Sequence, residues 1–69
     1  MTFTKLEMQN GDEVFVNPDY VRYVVKDKTS DAGGSAVLLV GSDVYVKEEP
    51  REVIMKMIHD SHTESAIRL

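Results

Sequence analysis

Hydrophobic and polar positions alternate with a period of two along much of the chain before Pro50 and with a helical period after it, so the sequence reads as strands followed by one helix. Asn10-Gly11, flanked by β-prone residues, supplies the positive φ angles of a two-residue type I′ turn and predicts a hairpin of strands at about residues 2–9 and 12–16. In that register Leu6 lies opposite Phe15 and Glu7 opposite Val14. Leu6, Met8 and Phe15 then share one face, with Val14 and Val16 on the other. Pro18 donates no backbone hydrogen bond and restricts Asn17 before it, so a tight corner or single helical turn carries the chain through Tyr20. Val21 to Lys26 is β-branched and aromatic, which predicts a third strand. Residues 27–35 form a polar, Gly-bearing connection, expected to be the most mobile interior stretch.

Ala36 to Val40 is a continuous apolar run that suits a central strand. Gly41-Ser42 fits a type II′ turn, which sets Leu39 opposite Val44, Val37 opposite Val46 and Leu38 opposite Tyr45. Both faces of this second hairpin are apolar, and one helix covers only one of them. Pro50 suits a first helical position, and Glu48, Glu49 and Glu52 lie near the positive end of the helix dipole. Val53, Ile54, Met57 and Ile58 make one apolar stripe, Met55 points away from it, and fraying is expected near Asp60-Ser61. The fold class this predicts is α+β: one domain over residues 1–61, with a small twisted antiparallel sheet of about five strands and one C-terminal helix packed on one face. Residues 62–69 read as a flexible or partner-docking tail.

A chain of 69 residues holds one domain with a small core. That leaves little room for a deep cleft and makes oligomerisation a common remedy. Without cysteine, disulfides, zinc fingers and thiol chemistry are excluded. Twelve acidic residues against eight basic give a net charge of −4, and the basic residues are scattered. Nucleic acid and acidic phospholipid are therefore poor partners, since both need a basic stripe. There is no apolar run of the ~20 residues a membrane helix needs and no signal-peptide layout, which makes the cytoplasm the default compartment.

No nucleophile–base–acid set, P-loop or H-E-x-x-H motif is present, so the expectation is a non-enzymatic protein without catalytic residues, cofactor or metal. Gly33-Gly34-Ser35 could offer N–H groups to a phosphate but lacks the following Lys-Ser/Thr, and reads as a hairpin tip. His59 and His62 share a helix face at i,i+3, where a favourable imidazole near a helix C-terminus accounts for His59 without metal. Leu38, Val40 and Tyr45 on the helix-free face predict a self-association surface. Arg22, Tyr23, Lys26, Tyr45 and Lys47 are candidates for binding a partner or a small anionic ligand. The tyrosines also fit core packing with the hydroxyl at the rim.

The order Asn10 to Val21 (NGDEVFVNPDYV), Val37 to Glu48 (VLLVGSDVYVKE) and Glu52 to Ile58 (EVIMKMI) resembles the small FlbD/SwrD-like flagellar proteins, over about residues 3–58. The resemblance implies a small cytoplasmic, non-enzymatic protein linked to flagellar motor function, with no catalytic residues to carry over. Residues 27–35 make a longer connection than is usual in that family, and Glu49 stands where a small hydroxyl residue is expected. The favoured expectation is a cytoplasmic interaction protein that forms a homo-oligomer and binds another protein, with the flagellar apparatus as the implied partner. The alternative is a module that binds or sequesters a small anionic ligand such as a nucleotide, as a phage-encoded inhibitor would.

Overall fold

A computed structural model describes the backbone of residues 2–68 and the side chains of residues 2–60. Five strands precede one helix: β1 (Thr4–Glu7), β2 (Glu13–Val16), β3 (Val21–Lys26), β4 (Ser35–Leu39), β5 (Ser42–Val46) and α1 (Pro50–Arg68). The fold is α+β, with an antiparallel β1–β2 hairpin and a three-stranded antiparallel sheet in the order β3-β4-β5. The two sheets meet where Met8 bridges Val46. There the Lys47 N–H donates to the Glu7 carbonyl at 2.8 Å and the Gln9 N–H to the Tyr45 carbonyl at 3.1 Å. The end of β1 thus continues the sheet beyond β5.

The first turn corrects the expected register. Gly11 has φ +96°, whereas among the described residues no non-glycine residue has positive φ, so Asn10 does not adopt the type I′ conformation. Instead the Gly11 N–H donates to the Met8 carbonyl at 2.9 Å and the Met8 N–H to the Asp12 carbonyl at 2.7 Å. This three-residue loop with glycine in the left-handed position shifts the pairing by one residue. Thr4 pairs with Val16, Lys5 with Phe15 and Leu6 with Val14. Leu6, Val14 and Val16 therefore face inward, and Phe15 is exposed beside Lys5.

The second turn is also displaced, with Gly41 at its third position and φ +87°, the pattern of a type II turn. Val37 pairs with Val44, Ala36 with Tyr45 and Leu38 with Asp43. This register differs from the expected one by two residues, so each side chain keeps its face. Between the two hairpins, Pro18–Tyr20 forms a 3-10 turn capped by Asn17, whose side chain accepts the Asp19 N–H at 3.0 Å. A bulge between Val21 and Tyr23 interrupts β3. It lets Val21 and Val24 both pack toward the core, while Tyr23 and Val25 stay on the opposite face.

Leu6, Val16, Val37, Val46 and Val53 form the buried core, with Val14, Val21, Val24, Leu39, Val44 and Met57 packed against it. The helix contributes Val53 and Met57, one residue above the other at i,i+4. Ile54 and Ile58, expected in the same stripe, are exposed, because so small a cluster accepts only a narrow strip of helix. Met55 is exposed, as its angular position requires. The helix backbone passes Asp60-Ser61 without a break and continues to Arg68. The proposed role of residues 62–69 concerns side chains outside the described residues. Thr4 is fully buried, and its Oγ1 has no hydrogen-bond partner among the described residues.

Gly34, at φ +97°, sits against the Val46 carbonyl where a Cβ would collide with backbone, whereas Gly41, at φ +87°, has open space around it. Chemical denaturation should show Gly41→Ala losing about 1 kcal/mol from conformation alone, and Gly34→Ala losing more than ~2 kcal/mol. Equal losses at the two positions would contradict this packing.

Candidate functional site

Two surfaces gather the chemistry-bearing residues, and they lie on different parts of the sheet. The first is polar and surrounds the 27–35 connection. Asp27 is buried, and its carboxylate accepts the Thr29 N–H at 2.9 Å, the Thr29 hydroxyl, and the Gln9 amide at 2.7 Å. The Asp27 N–H donates to the Gly34 carbonyl at 3.0 Å. Glu49 precedes the helix, where its carbonyl accepts the Val53 N–H at 3.0 Å, but its carboxylate does not cap the helix. It turns back to accept the Gly34 N–H at 2.6 Å and the Lys26 ammonium at 2.7 Å. The Glu52 carboxylate accepts the Glu49 N–H at 3.4 Å, half of a capping box. Glu48 accepts the Glu7 N–H at 3.2 Å and Lys56 at 2.8 Å.

These contacts change how the basic candidates read. Lys26 is paired with Glu49, and the Lys47 ammonium lies 3.6 Å from Glu7. The glycine-rich stretch that could have cradled a phosphate holds the chain's own carboxylate instead, because Gly34 donates to Glu49. A shallow depression of about 350 Å³ beside it is lined by Gln9, Ser30, Ala32, Gly33 and Lys47. The connection expected to be mobile is closed by hydrogen bonds at Asp27, Gly33 and Gly34.

The second surface is the helix-free face of β3-β4-β5. Register places Tyr23, Leu38 and Asp43 in one row across the strands and Val25, Ala36 and Tyr45 in the next. Tyr23 is 58% exposed, Val25 47%, Tyr45 47% and, at the turn, Val40 68%, while the small Ala36 is buried between its neighbours, so no element among the described residues covers this face. Leu38 is half-buried among them. Arg22 projects from the bulge, and its guanidinium carbon stands 5.4 Å from the centre of the Tyr23 ring, within cation–π range.

The structure therefore brings Leu38 and Tyr45 onto one face with Val40 at its rim, and sets Arg22 and Tyr23 beside them. Lys26 and Lys47 lie at the other end of the strands, near the polar surface. Sequence reasoning missed Val25 and Asp43. Val25 was legible from its two-residue spacing after Tyr23, whereas Asp43 needed the true register of the second hairpin. Of the histidine pair, the His62 side chain lies outside the described residues. Among the described residues no three His, Cys, Asp or Glu side chains converge as a metal site. No helix among them is long and apolar enough to cross a membrane. Comparison with family models, curated proteins and solved structures finds no match to this chain.

Three carboxyls of the polar surface titrate below their ordinary values. The Thr29 hydroxyl, then the Gln9 amide, hold Asp27 below 3.8. Lys26, then the Gly34 N–H, hold Glu49 below 4.5. Burial pushes Glu48 upward, but Lys56 and the backbone N–H groups of Glu48 and Glu7 together outweigh it, leaving Glu48 below 4.5 as well. A carboxyl whose folded value is depressed stabilises the fold above its unfolded value, and that contribution is lost as pH falls through the folded one. Urea midpoints should therefore hold steady from pH 7 to about 5 and decline below about 4.5. Glu49→Gln should lower the midpoint at pH 7 and flatten the acid-side decline. Parallel curves for the two proteins would show that Glu49 contributes nothing through its charge.

Proposed function

We propose that this chain is a non-catalytic interaction protein of the cytoplasm that self-associates through the helix-free face of β3-β4-β5 and binds another protein. The observation that carries this reading is the group of exposed apolar and aromatic side chains, Tyr23, Val25, Val40 and Tyr45, around half-buried Leu38. A contiguous apolar patch on a chain with so small a core favours covering by a partner surface. Tyr and Arg are over-represented at binding hot spots, and both stand here on rigid strands rather than on loops. The resemblance to FlbD/SwrD-like proteins makes the flagellar apparatus the heterologous partner we propose. The anionic-ligand alternative draws less support, because Lys26 and Lys47 each face a carboxylate and Gly34 donates to Glu49.

Native mass spectrometry of protein purified without denaturation should record a homo-oligomer at bare mass whose fraction grows with protein concentration. Tyr45→Asp should shift it toward monomer by at least ~10-fold in the association constant, with an unchanged circular dichroism spectrum. A monomer at all concentrations contradicts self-association, and an oligomer carrying nucleotide-sized extra mass favours the ligand alternative.

A further inference from the structure

We infer that the occupant of the open face is a second copy of this chain, related by a two-fold axis running along β4, so that Arg22 of each copy pairs with Asp43 of the other. The inference rests on the self-association reading and specifies its geometry. A face-to-face pair of identical chains is isologous, so its axis lies in the plane between the two sheets. An axis along the central strand β4 exchanges β3 with β5 and keeps every row at its own level. The row Tyr23, Leu38, Asp43 then meets its own reverse: Leu38 falls on Leu38 of the second copy, and the Arg22–Tyr23 unit falls on Asp43. In the next row Ala36 meets Ala36, and Val25 meets Tyr45. An axis across the strands keeps β3 against β3 and β5 against β5. Between the two rows it sets Asp43 against Tyr45 and Arg22 against Val25, and through the first row it sets Asp43 against Asp43 and Arg22 against Arg22, so in neither case does either charge meet an opposite one.

The charges on the face support the first arrangement. Asp43 makes no ion pair among the described residues and is exposed at the β5 side of the row. Arg22 supplies the opposite charge at the β3 side, and its guanidinium lies near the Tyr23 ring, which belongs to this face. Stacked sheets lie about 10 Å apart, a gap the long Arg22 side chain spans toward a carboxylate. The face measures roughly 14 Å across the strands and 17 Å along them, well below a standard interface. The dimer should therefore be weak, with a dissociation constant on the order of 100 μM.

Sedimentation equilibrium on the full chain, from 10 μM to 1 mM (roughly a tenth to ten times that constant), tests the geometry through charge exchange. Arg22→Glu and Asp43→Arg should each weaken dimerisation by about 10-fold or more, because each sets like charges against one another at both symmetry-related contacts. An equimolar mixture of the two variants, and the double variant alone, should each restore association to within about 3-fold of wild type. Both positions are exposed, and circular dichroism checks that every variant folds. A wild-type dimer with unaffected single variants, or with no rescue, overturns this geometry while leaving self-association standing. A wild-type chain that remains monomeric throughout overturns the self-association reading itself, and this inference with it.

Discussion

The fold depends on one contact, the burial of Val53 against Leu6, Val16, Val37 and Val46. These five side chains come from β1, β2, β4, β5 and the first turns of the helix, so a single cluster ties both hairpins to α1. Burying a valine contributes on the order of 1.5–3 kcal/mol, a large share of the stability a domain of this size commands. The hydrogen bonds that join the two sheets at Glu7, Gln9, Tyr45 and Lys47 follow from that closure. A core made mainly of valines and one leucine is thin, and it seals only the inner side of the sheet. The outer side of β3-β4-β5 is left apolar and exposed, which is the constraint from which the functional reading starts.

Polar groups are divided just as sharply. Lys26 pairs with Glu49 where β3, the 27–35 connection and the start of the helix meet, and Lys56 pairs with Glu48 beside Glu7 of β1, so each charge is neutralised locally. Glu49 contributes both to the helix start, through its carbonyl, and to the loop, through its carboxylate. That dual placement accounts for an acidic residue where a small hydroxyl residue is usual before a helix, since Ser or Thr would not reach both Gly34 and Lys26. The open face, by contrast, carries Asp43 at one side and Arg22 at the other, with apolar side chains between them.

Element order and type were legible in the sequence: turn residues, β-branched runs and Pro50 marked five strands and one helix. Register was less legible, and the two errors had unequal consequences. At Asn10-Gly11 the glycine takes the positive φ but Asn10 does not, and the resulting one-residue slip moves Phe15 from the core face to solvent. At Gly41 the error was two residues, so Leu38 and Tyr45 remained on the helix-free face. The bulge at Arg22 was hidden because β-branched residues occupy both faces of β3, and pattern alone does not reveal an inserted residue. The pairings of Gln9 with Asp27 and of Gly34 with Glu49 join residues 18 and 15 positions apart, and only the folded arrangement brings them together. The apolar part of the candidate surface was thus readable from alternation, while its charged edges needed the true registers.

The central claim is that the outer face of β3-β4-β5 is where copies of this chain meet. A dilution series followed by amide and methyl chemical shifts in nuclear magnetic resonance tests it most directly, because it reports the contact residue by residue in the unmodified protein. The account predicts concentration-dependent shifts concentrated at Tyr23, Val25, Leu38, Asp43 and Tyr45, with Phe15 and Glu13 on the outer side of the first hairpin unmoved. Shifts that are independent of concentration, or that cluster on β1 and β2 instead, would contradict it.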